Sequence, residues 1–343
     1  MDPFALKRLG RSELRLPRLG FGGAGLGNIF DDVSEAQAEA TLKAAWDAGV
    51  RYFDTSPWYG RGLSERRTGS FLLHRPADER IISTKVGRLF SAPTDPAAFA
   101  RSERPWAQGL HFAHRYDYRY DAILRSYEDS LQRLGVNRVS ALIIHDLDLA
   151  NLGSQELVDK HLAELDAGGG FRALAELKAA GLIAAIGAGV NRLGTIPAFL
   201  DRFDLDFFLV ATPYTLAEQP ALDRELPLCE ARGVGIVIGA VYATGILATG
   251  PVARARYNYH PATPEELDRI RRMEAIGRSH GVPLAAAALQ FPLHHPTVAS
   301  VIPGAFAPEQ VIETVGFMRH EIPDAYWHDL KAAGLLRADA PTP

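Results

Sequence analysis

The sequence predicts an α/β protein, a closed (β/α)8 barrel of the TIM type. Short β-branched or apolar runs alternate with longer amphipathic segments along the whole chain, the order expected of a parallel sheet wrapped by helices. Eight such runs occur in 343 residues with no linker or compositional break, so eight strand–helix pairs use up the chain. One domain spanning 1–343 is expected. Three connections are too long for plain turns, and each follows a strand and precedes a helix, on the rim where barrel loops gather.

In chain order, KRLGRSELRL reads as a β-hairpin about Arg11-Ser12 that caps the barrel bottom. The first strand, 18–23, leads to a helix over 34–48 that opens on Ser34 as N-cap before Glu35 and stops at Gly49. Strands over 51–55 and 80–85 flank a helix over 63–73, and the first long connection, 86–118, precedes a helix over 120–134. The fourth strand, 140–146, is followed by the second long connection, 146–170, and a helix over 171–180. Strands over 183–189 and 206–212 alternate with helices over 193–203 and 221–231, the latter closed by Gly233. Strand 235–240 precedes the third long connection, 241–262, and a helix over 264–280; strand 298–304 and a helix over 308–318 complete the set.

Composition excludes several classes. With 47% hydrophobic and 23% charged residues the chain is near the globular average, and a net charge of -4 offers no basic face for nucleic acid or anionic lipid. A small neutral or anionic substrate is expected as partner. No apolar stretch is long enough for a signal peptide or a membrane span, so a cytoplasmic location is expected. The single cysteine, Cys229, lies in a helical run and reads as a small buried hydrophobe. The 11 histidines include no H-E-x-x-H, no metal site is expected, and His294-His295 reads as a helix end meeting last-turn carbonyls. No G-x-S-x-G elbow is present. Oligomeric state has no signal in the sequence.

The chemistry gathers at strand ends. Asp54 is at the tip of the second strand with Tyr59 five residues on, Lys85 ends the third, and His145 lies at the end of the fourth. Four ionisable groups at successive tips are hard to explain by packing, because buried charges are costly unless paired. Moving a hydride to or from a carbon that bears oxygen needs an acid or base for the oxygen's proton, and a phenol can serve as either. A free phenol titrates near 10, so work at neutral pH requires about 3–4 kcal/mol of differential stabilisation. The Lys85 ammonium is expected to supply it, with Asp54 keeping that ammonium charged and His145 donating to the substrate oxygen. In the long connection 86–118, Phe90, Trp106, His111, Phe112, His114 and Tyr116 either line a sugar or aromatic pocket or pack on one another as a lid. Trp58, Trp106 and His111 are the substrate-facing candidates.

The pattern D-T-S-P-x-Y-G (54–60), then S-T-K (83–85), then a strand ending in His145 resembles the aldo-keto reductases over essentially the whole chain. The resemblance implies an NAD(P)-dependent oxidoreductase with Asp54, Tyr59, Lys85 and His145 as its tetrad. Within that family SPWYGRGLSERRTG, AAIGAGVN and PLAAAALQFPLHHPTVASVIPGA are most similar to the aldose 1-dehydrogenase branch, which includes L-galactose and pyridoxal 4-dehydrogenases. By the same resemblance Asn191 reaches the cofactor carboxamide and Tyr214 stacks on the nicotinamide. Ala240, Val241, Gly245, Ile246 and Leu247 cover the pyrophosphate, and Pro303, Gly304, Phe306, Gln310, Glu313 and Thr314 grip the adenosine end. The family's usual glutamine near Ala211 is missing, and Thr314 replaces a usual asparagine.

Residues 20–25 fit G-x-G-x-x-G, but helical periodicity begins only near Ser34, so a dinucleotide fingerprint is disfavoured. The first-strand rim, with Gly23 and Ala24, is instead expected to let backbone approach nicotinamide or substrate. A 2′-phosphate without a cationic partner forgoes charge-assisted hydrogen bonds of about 1.5–3 kcal/mol each. NAD is therefore expected over NADP unless Arg254 or Arg256 reaches that end. Three functions stay open: an NAD-dependent aldose 1-dehydrogenase, an NADPH-dependent reductase of small aldehydes or pyridoxal, and a non-catalytic nucleotide-binding regulator.

Overall fold

The computed structural model describes residues 1–97, 99 and 106–343. Eight parallel strands run in sequence order around the sheet: β1 (Phe21–Gly22), β2 (Tyr52–Asp54), β3 (Ile81–Val86), β4 (Ala141–Ile144), β5 (Ala185–Val190), β6 (Phe207–Val210), β7 (Gly235–Ile238) and β8 (Val298–Val301). Parallel bridges Leu19 to Val301 and Gly22 to Gly304 join the first strand to the last and close the barrel. All eight runs expected from sequence hold a strand; most are shortened at one or both ends, and β3 and β5 run one residue past the expected end.

Side chains alternate between two layers, as a strand's period of two requires. Phe207, Leu209, Ile143 and Val237 belong to a small cluster inside the barrel. Their neighbours Phe208, Val210, Leu142 and Ile238 belong to the large cluster between sheet and helices. Leu9 and Leu16 of the N-terminal hairpin, Leu6–Arg8 paired with Arg15–Pro17, join the inner cluster. The hairpin thus plugs one end, and the chemistry must occupy the other.

Ser34 caps the first helix, Glu35–Asp47, by accepting from the Gln37 N–H. Gly233 ends the helix Glu225–Arg232 in the left-handed region, as expected. Helices Tyr120–Leu134 and Pro264–His280 match their expected bounds. The expected helix over 193–203 contracts to Thr195–Leu200 behind Gly194, and that over 221–231 breaks at Arg224. Helices Leu284–Gln290 and Asp324–Ala332 are additions. No helix among the described residues is long and apolar enough to cross a membrane.

The three long connections are partly regular. The first holds an antiparallel pair, Arg88–Ser91 with Ala113–Tyr116; the second holds helices Leu149–Leu152 and Gln155–Leu165. The third holds a short helix, Ile246–Thr249, and a hairpin of Arg256–Tyr257 with His260–Pro261. That hairpin turns through Asn258 and Tyr259, both at positive φ, and the Arg256 guanidinium lies 4.6 Å from the centre of the Phe30 ring in the first loop.

One sequence reading needs correction. His295 does not bond last-turn carbonyls with its side chain: Nδ1 lies 2.8 Å from the Thr297 hydroxyl, while His294 lies edge-on to Trp327. The glycines of 20–25 serve packing between strands. A side chain at Gly22 would meet the Ile302 carbonyl at 2.6 Å, at Gly23 the Ser64 hydroxyl at 2.7 Å, and at Gly25 the Ala305 carbonyl at 2.7 Å. A 3₁₀ turn, Gly25–Gly27, follows β1, so no helix N-terminus opens straight from these glycines.

Candidate active site

Neighbouring strand ends bring the four expected groups together. Asp54 ends β2, Lys85 is the penultimate residue of β3, and His145 follows β4, its N–H donating to the Val86 carbonyl at 3.0 Å. Lys85 Nζ donates to Asp54 Oδ2 at 2.7 Å and to the Thr55 carbonyl at 2.8 Å. The other Asp54 oxygen accepts from Ser83 at 2.7 Å. Both members of this ion pair are almost fully buried, which is tolerable because every charged end has a partner.

Tyr59, partly open to solvent, lies in the turn above, with Lys85 Nζ 4.6 Å from its ring centre and the His145 ring edge-on at 6.0 Å. The expectation that Lys85 makes this phenol acidic is not met. Burial pushes the Tyr59 pKa well above its ordinary value, the Asp54 and Asp146 carboxylates push the same way, and the Arg88 guanidinium pulls it down. The physical reason is desolvation first: burial penalises the phenolate, and two nearby carboxylates add to that penalty. Tyr59 is therefore a neutral proton donor near pH 7.

His145 is also neutral: burial, then the positive charges of Lys85 and Arg88, hold it well below its ordinary pKa. Its Nδ1 lies 3.1 Å from the Ser56 hydroxyl, and that hydroxyl already accepts from the Trp58 N–H at 3.0 Å. Nε2 faces the Asp146 carboxylate at 3.5 Å, which favours the imidazole proton on Nε2, and the Ser56 proton can then be donated to Nδ1. The Tyr118 hydroxyl fixes the backbone by donating to the His145 carbonyl at 2.6 Å.

A second buried ion pair was not foreseen from sequence. Arg88 Nη2 lies 2.9 Å from Asp146 Oδ2, with the guanidinium 4.1 Å from the Trp58 ring centre and 4.7 Å from that of Tyr116. Gly87, at φ 111°, makes the turn from Lys85 to Arg88; a side chain there would lie 2.1 Å from the Tyr118 ring. The signal available in sequence was the arginine three residues beyond the rim lysine, together with the acid following the rim histidine.

Of the substrate candidates, Trp106 lies 5.7 Å from the Tyr59 ring, and Trp58 stands 5.8 Å beyond it, edge-on to Trp106. His111 is exposed beside Phe99 at 5.9 Å, off the site, and His114 takes its place against Trp58 at 4.4 Å. Tyr259 was also missed. Although 47% exposed, it responds to the charges of Tyr59, Asp146 and Lys85, so the third-loop hairpin reaches the mouth.

The cofactor candidates divide. Asn191 follows β5, its Nδ2 3.4 Å from Asp146 Oδ1. Tyr214 does not face the mouth: it is 1% exposed and packed on Phe291 and His295, with neither ring face open to a nicotinamide. Val241, Ile246 and Leu247 are fully buried, backbone included, and present no surface to a ligand in this arrangement. Ala240, Ala243, Thr244 and Gly245 all have positive φ, and Gly245 has open space where a side chain would be. At the last loop Pro303 is buried while Gly304, Gln310 and Glu313 are exposed, with Phe306 and Thr314 half-buried; Gln310 accepts from the Phe306 N–H at 2.7 Å. Tyr242 lies toward Thr314 and Glu313, joining the two groups of candidates. Ala24 stays half-buried beside the closely packed Gly23. Cys229 is fully buried with its thiol pushed up to about 12, an inert core position.

Comparison with known proteins agrees with this arrangement. Residues 18–334 match the profile described as "Aldo/keto reductase family". The chain is 40% identical over 336 residues to pyridoxal 4-dehydrogenase of Microbacterium luteolum, covering 96% of this chain and 97% of that one. It is 38% identical over 332 residues to D-threo-aldose 1-dehydrogenase of a Pseudomonas species, covering 96% of each. A holo-form aldo-keto reductase structure from Bacillus halodurans shares the fold, with a TM-score of 0.73, 24% identity and 98% of both chains covered.

Proposed function

The chain belongs to the aldo/keto reductase family of NAD(P)-dependent oxidoreductases, and on that premise we propose that it is an aldose 1-dehydrogenase using NAD. The reaction is oxidation of the C1 hydroxyl of a free cyclic sugar, of the L-fucose, D-arabinose or L-galactose type, to the lactone. The observation that carries this reading is a phenol, Tyr59, standing against Trp106 and a neutral imidazole over a buried Lys85–Asp54 pair, with Trp58 extending the aromatic surface from Trp106. A proton-transfer group with an aromatic wall suits a ring with one polar edge and one apolar face.

A bound nicotinamide supplies the acceptor for the hydrogen that leaves C1 with its electron pair. Asn191 would hold its carboxamide, the left-handed backbone of 240–245 its pyrophosphate, and Gly304, Phe306, Gln310 and Glu313 its adenosine end. The open space at Gly245 and the exposure of Gly304 fit a ligand along that path. In oxidation Tyr59 must first lose its own proton to solvent; the phenolate Oη then takes the C1 hydroxyl proton while His145 Nε2–H holds the sugar oxygen. In the reverse direction Tyr59 returns the proton. Glu313 supports NAD: a carboxylate repels a 2′-phosphate and accepts from a ribose hydroxyl.

A second reading is favoured by the 40% identity to pyridoxal 4-dehydrogenase. Pyridoxal closes to a cyclic hemiacetal, so its oxidation is the same chemistry on a flat aromatic ring. A panel of aldoses, pyridoxal and simple aldehydes, run with both cofactors in both directions, separates the readings. Aldose oxidation with NAD supports the proposal, whereas turnover confined to simple aldehydes with NADPH replaces it with a reductase. Nucleotide binding without any turnover would make the protein a regulator.

A further inference from the structure

We propose that Asp146, anchored by Arg88, is a positioning residue that sets His145 and Asn191 together. One oxygen of its carboxylate, Oδ1, lies 3.5 Å from His145 Nε2 and 3.4 Å from Asn191 Nδ2. The other, Oδ2, lies 2.9 Å from Arg88 Nη2. Arg88 in turn is fixed by the Trp58 and Tyr116 rings and gives a hydrogen bond to the Tyr116 hydroxyl. A single carboxylate therefore links the substrate-facing histidine, the amide at the end of β5 and the aromatic wall.

The consequence for each group follows from donor and acceptor counts. With its amide nitrogen turned to Asp146, Asn191 has its carbonyl oxygen free to accept from a carboxamide N–H. A carboxylate beside Nε2 favours the tautomer with its proton there, and at 3.5 Å it orients that N–H without taking it from the substrate oxygen. The 3.4 Å contact to Asn191 is long and is expected to tighten when ligands fill the mouth. Asp146 also has φ 51°, a left-handed position that Asp tolerates and branched residues do not. A buried ion pair is a poor stabiliser compared with apolar side chains of similar volume, so its presence at the mouth is better explained by placement than by stability.

The inference rests on the reading of Asn191 and His145 as cofactor and substrate contacts, and the test separates the two. Dissociation constants for NAD and NADP are measured by quenching of tryptophan fluorescence in the wild type, Asp146→Asn, Asn191→Ala and the double variant. Asp146→Asn is expected to weaken cofactor binding by about tenfold, on the scale of an outer-shell partner. The same substitution in the Asn191→Ala background should add almost nothing, the signature of action through Asn191. Additive effects, or unchanged binding in Asp146→Asn, overturn the inference. Failure of the wild type to bind either nucleotide overturns the functional reading and the inference with it. Steady-state kinetics give the second arm: Arg88→Met lowers kcat by about tenfold or more with little change in substrate KM, and Arg88→Lys recovers most of the loss. A fall in thermal stability with kcat and KM unchanged would assign the pair to structure alone.

Discussion

Lys85 Nζ donates to Asp54 Oδ2 across 2.7 Å in a pair whose side chains are 2% and 1% exposed. Breaking such a pair by removing one partner leaves an uncompensated buried charge, worth about 3–5 kcal/mol. Asp54→Ala is expected to lower stability by that amount, and Asp54→Leu with Lys85→Met to recover most of it while leaving the enzyme inactive. Denaturant midpoints report the first effect and turnover the second. Equal destabilisation by the single and double variants would mean that the pair's charge is not what matters.

The protonation state of Tyr59 sets a pH prediction. A base must be deprotonated to work, and burial with the Asp54 and Asp146 carboxylates holds the phenol above its ordinary pKa. Oxidation is therefore expected to rise steadily from about pH 7 to about pH 10, while reduction, which uses the protonated phenol, stays level there. Arg88 pulls the Tyr59 pKa down, so Arg88→Met moves the oxidative limb to higher pH. His145, held neutral, contributes no break near its ordinary value. An oxidation profile that is flat across this range would count against Tyr59 as the base.

Gly87 tests how tightly the turn between the two cations is built. Its φ is 111° and a side chain would lie 2.1 Å from the Tyr118 ring, whose hydroxyl holds the His145 carbonyl. Gly87→Ala should cost roughly 2–4 kcal/mol through strain and overpacking and lower kcat as well. Gly153→Ala, at φ 82° with nothing within 4 Å, should cost only about 1 kcal/mol and leave kcat alone. Thermal melts and rates on the pair of variants make the comparison.

Cofactor choice turns on the last loop. Replacing Glu313 with arginine removes a repulsive charge and adds a guanidinium, so the NADP-to-NAD ratio of kcat/KM should rise on the order of tenfold to a hundredfold. No change in that ratio would place the 2′ position away from Glu313.

The fold was legible because strands and helices differ in period. Every barrel strand carries an apolar run of recognisable length, and helix ends at Ser34, Gly233 and Gly281 carry their caps in the sequence. Helices Leu149–Leu152 and Ile246–Thr249 are too short to show a period, whereas Gln155–Leu165 was missed although Val158, Leu162 and Leu165 recur at helical spacing behind the Ser154 cap. Asp54, Lys85 and His145 could be placed by counting to strand tips. Contacts across the mouth could not: Arg88 with Asp146, Trp58 with His114, and the burial of Tyr214 against Phe291 all depend on how separate loops fold over one another. The direction of the shift at Tyr59 was misread because it depends first on burial and then on the carboxylates that the loops bring near it.

The most direct test of the account follows the near-ultraviolet absorbance of reduced nicotinamide when the protein meets NAD with L-fucose, D-arabinose or L-galactose. The wild type is expected to produce a steady rise, with far less for NADP, while Tyr59→Phe binds NAD normally and produces none. Reduction of NAD at the wild-type rate by Tyr59→Phe would contradict it.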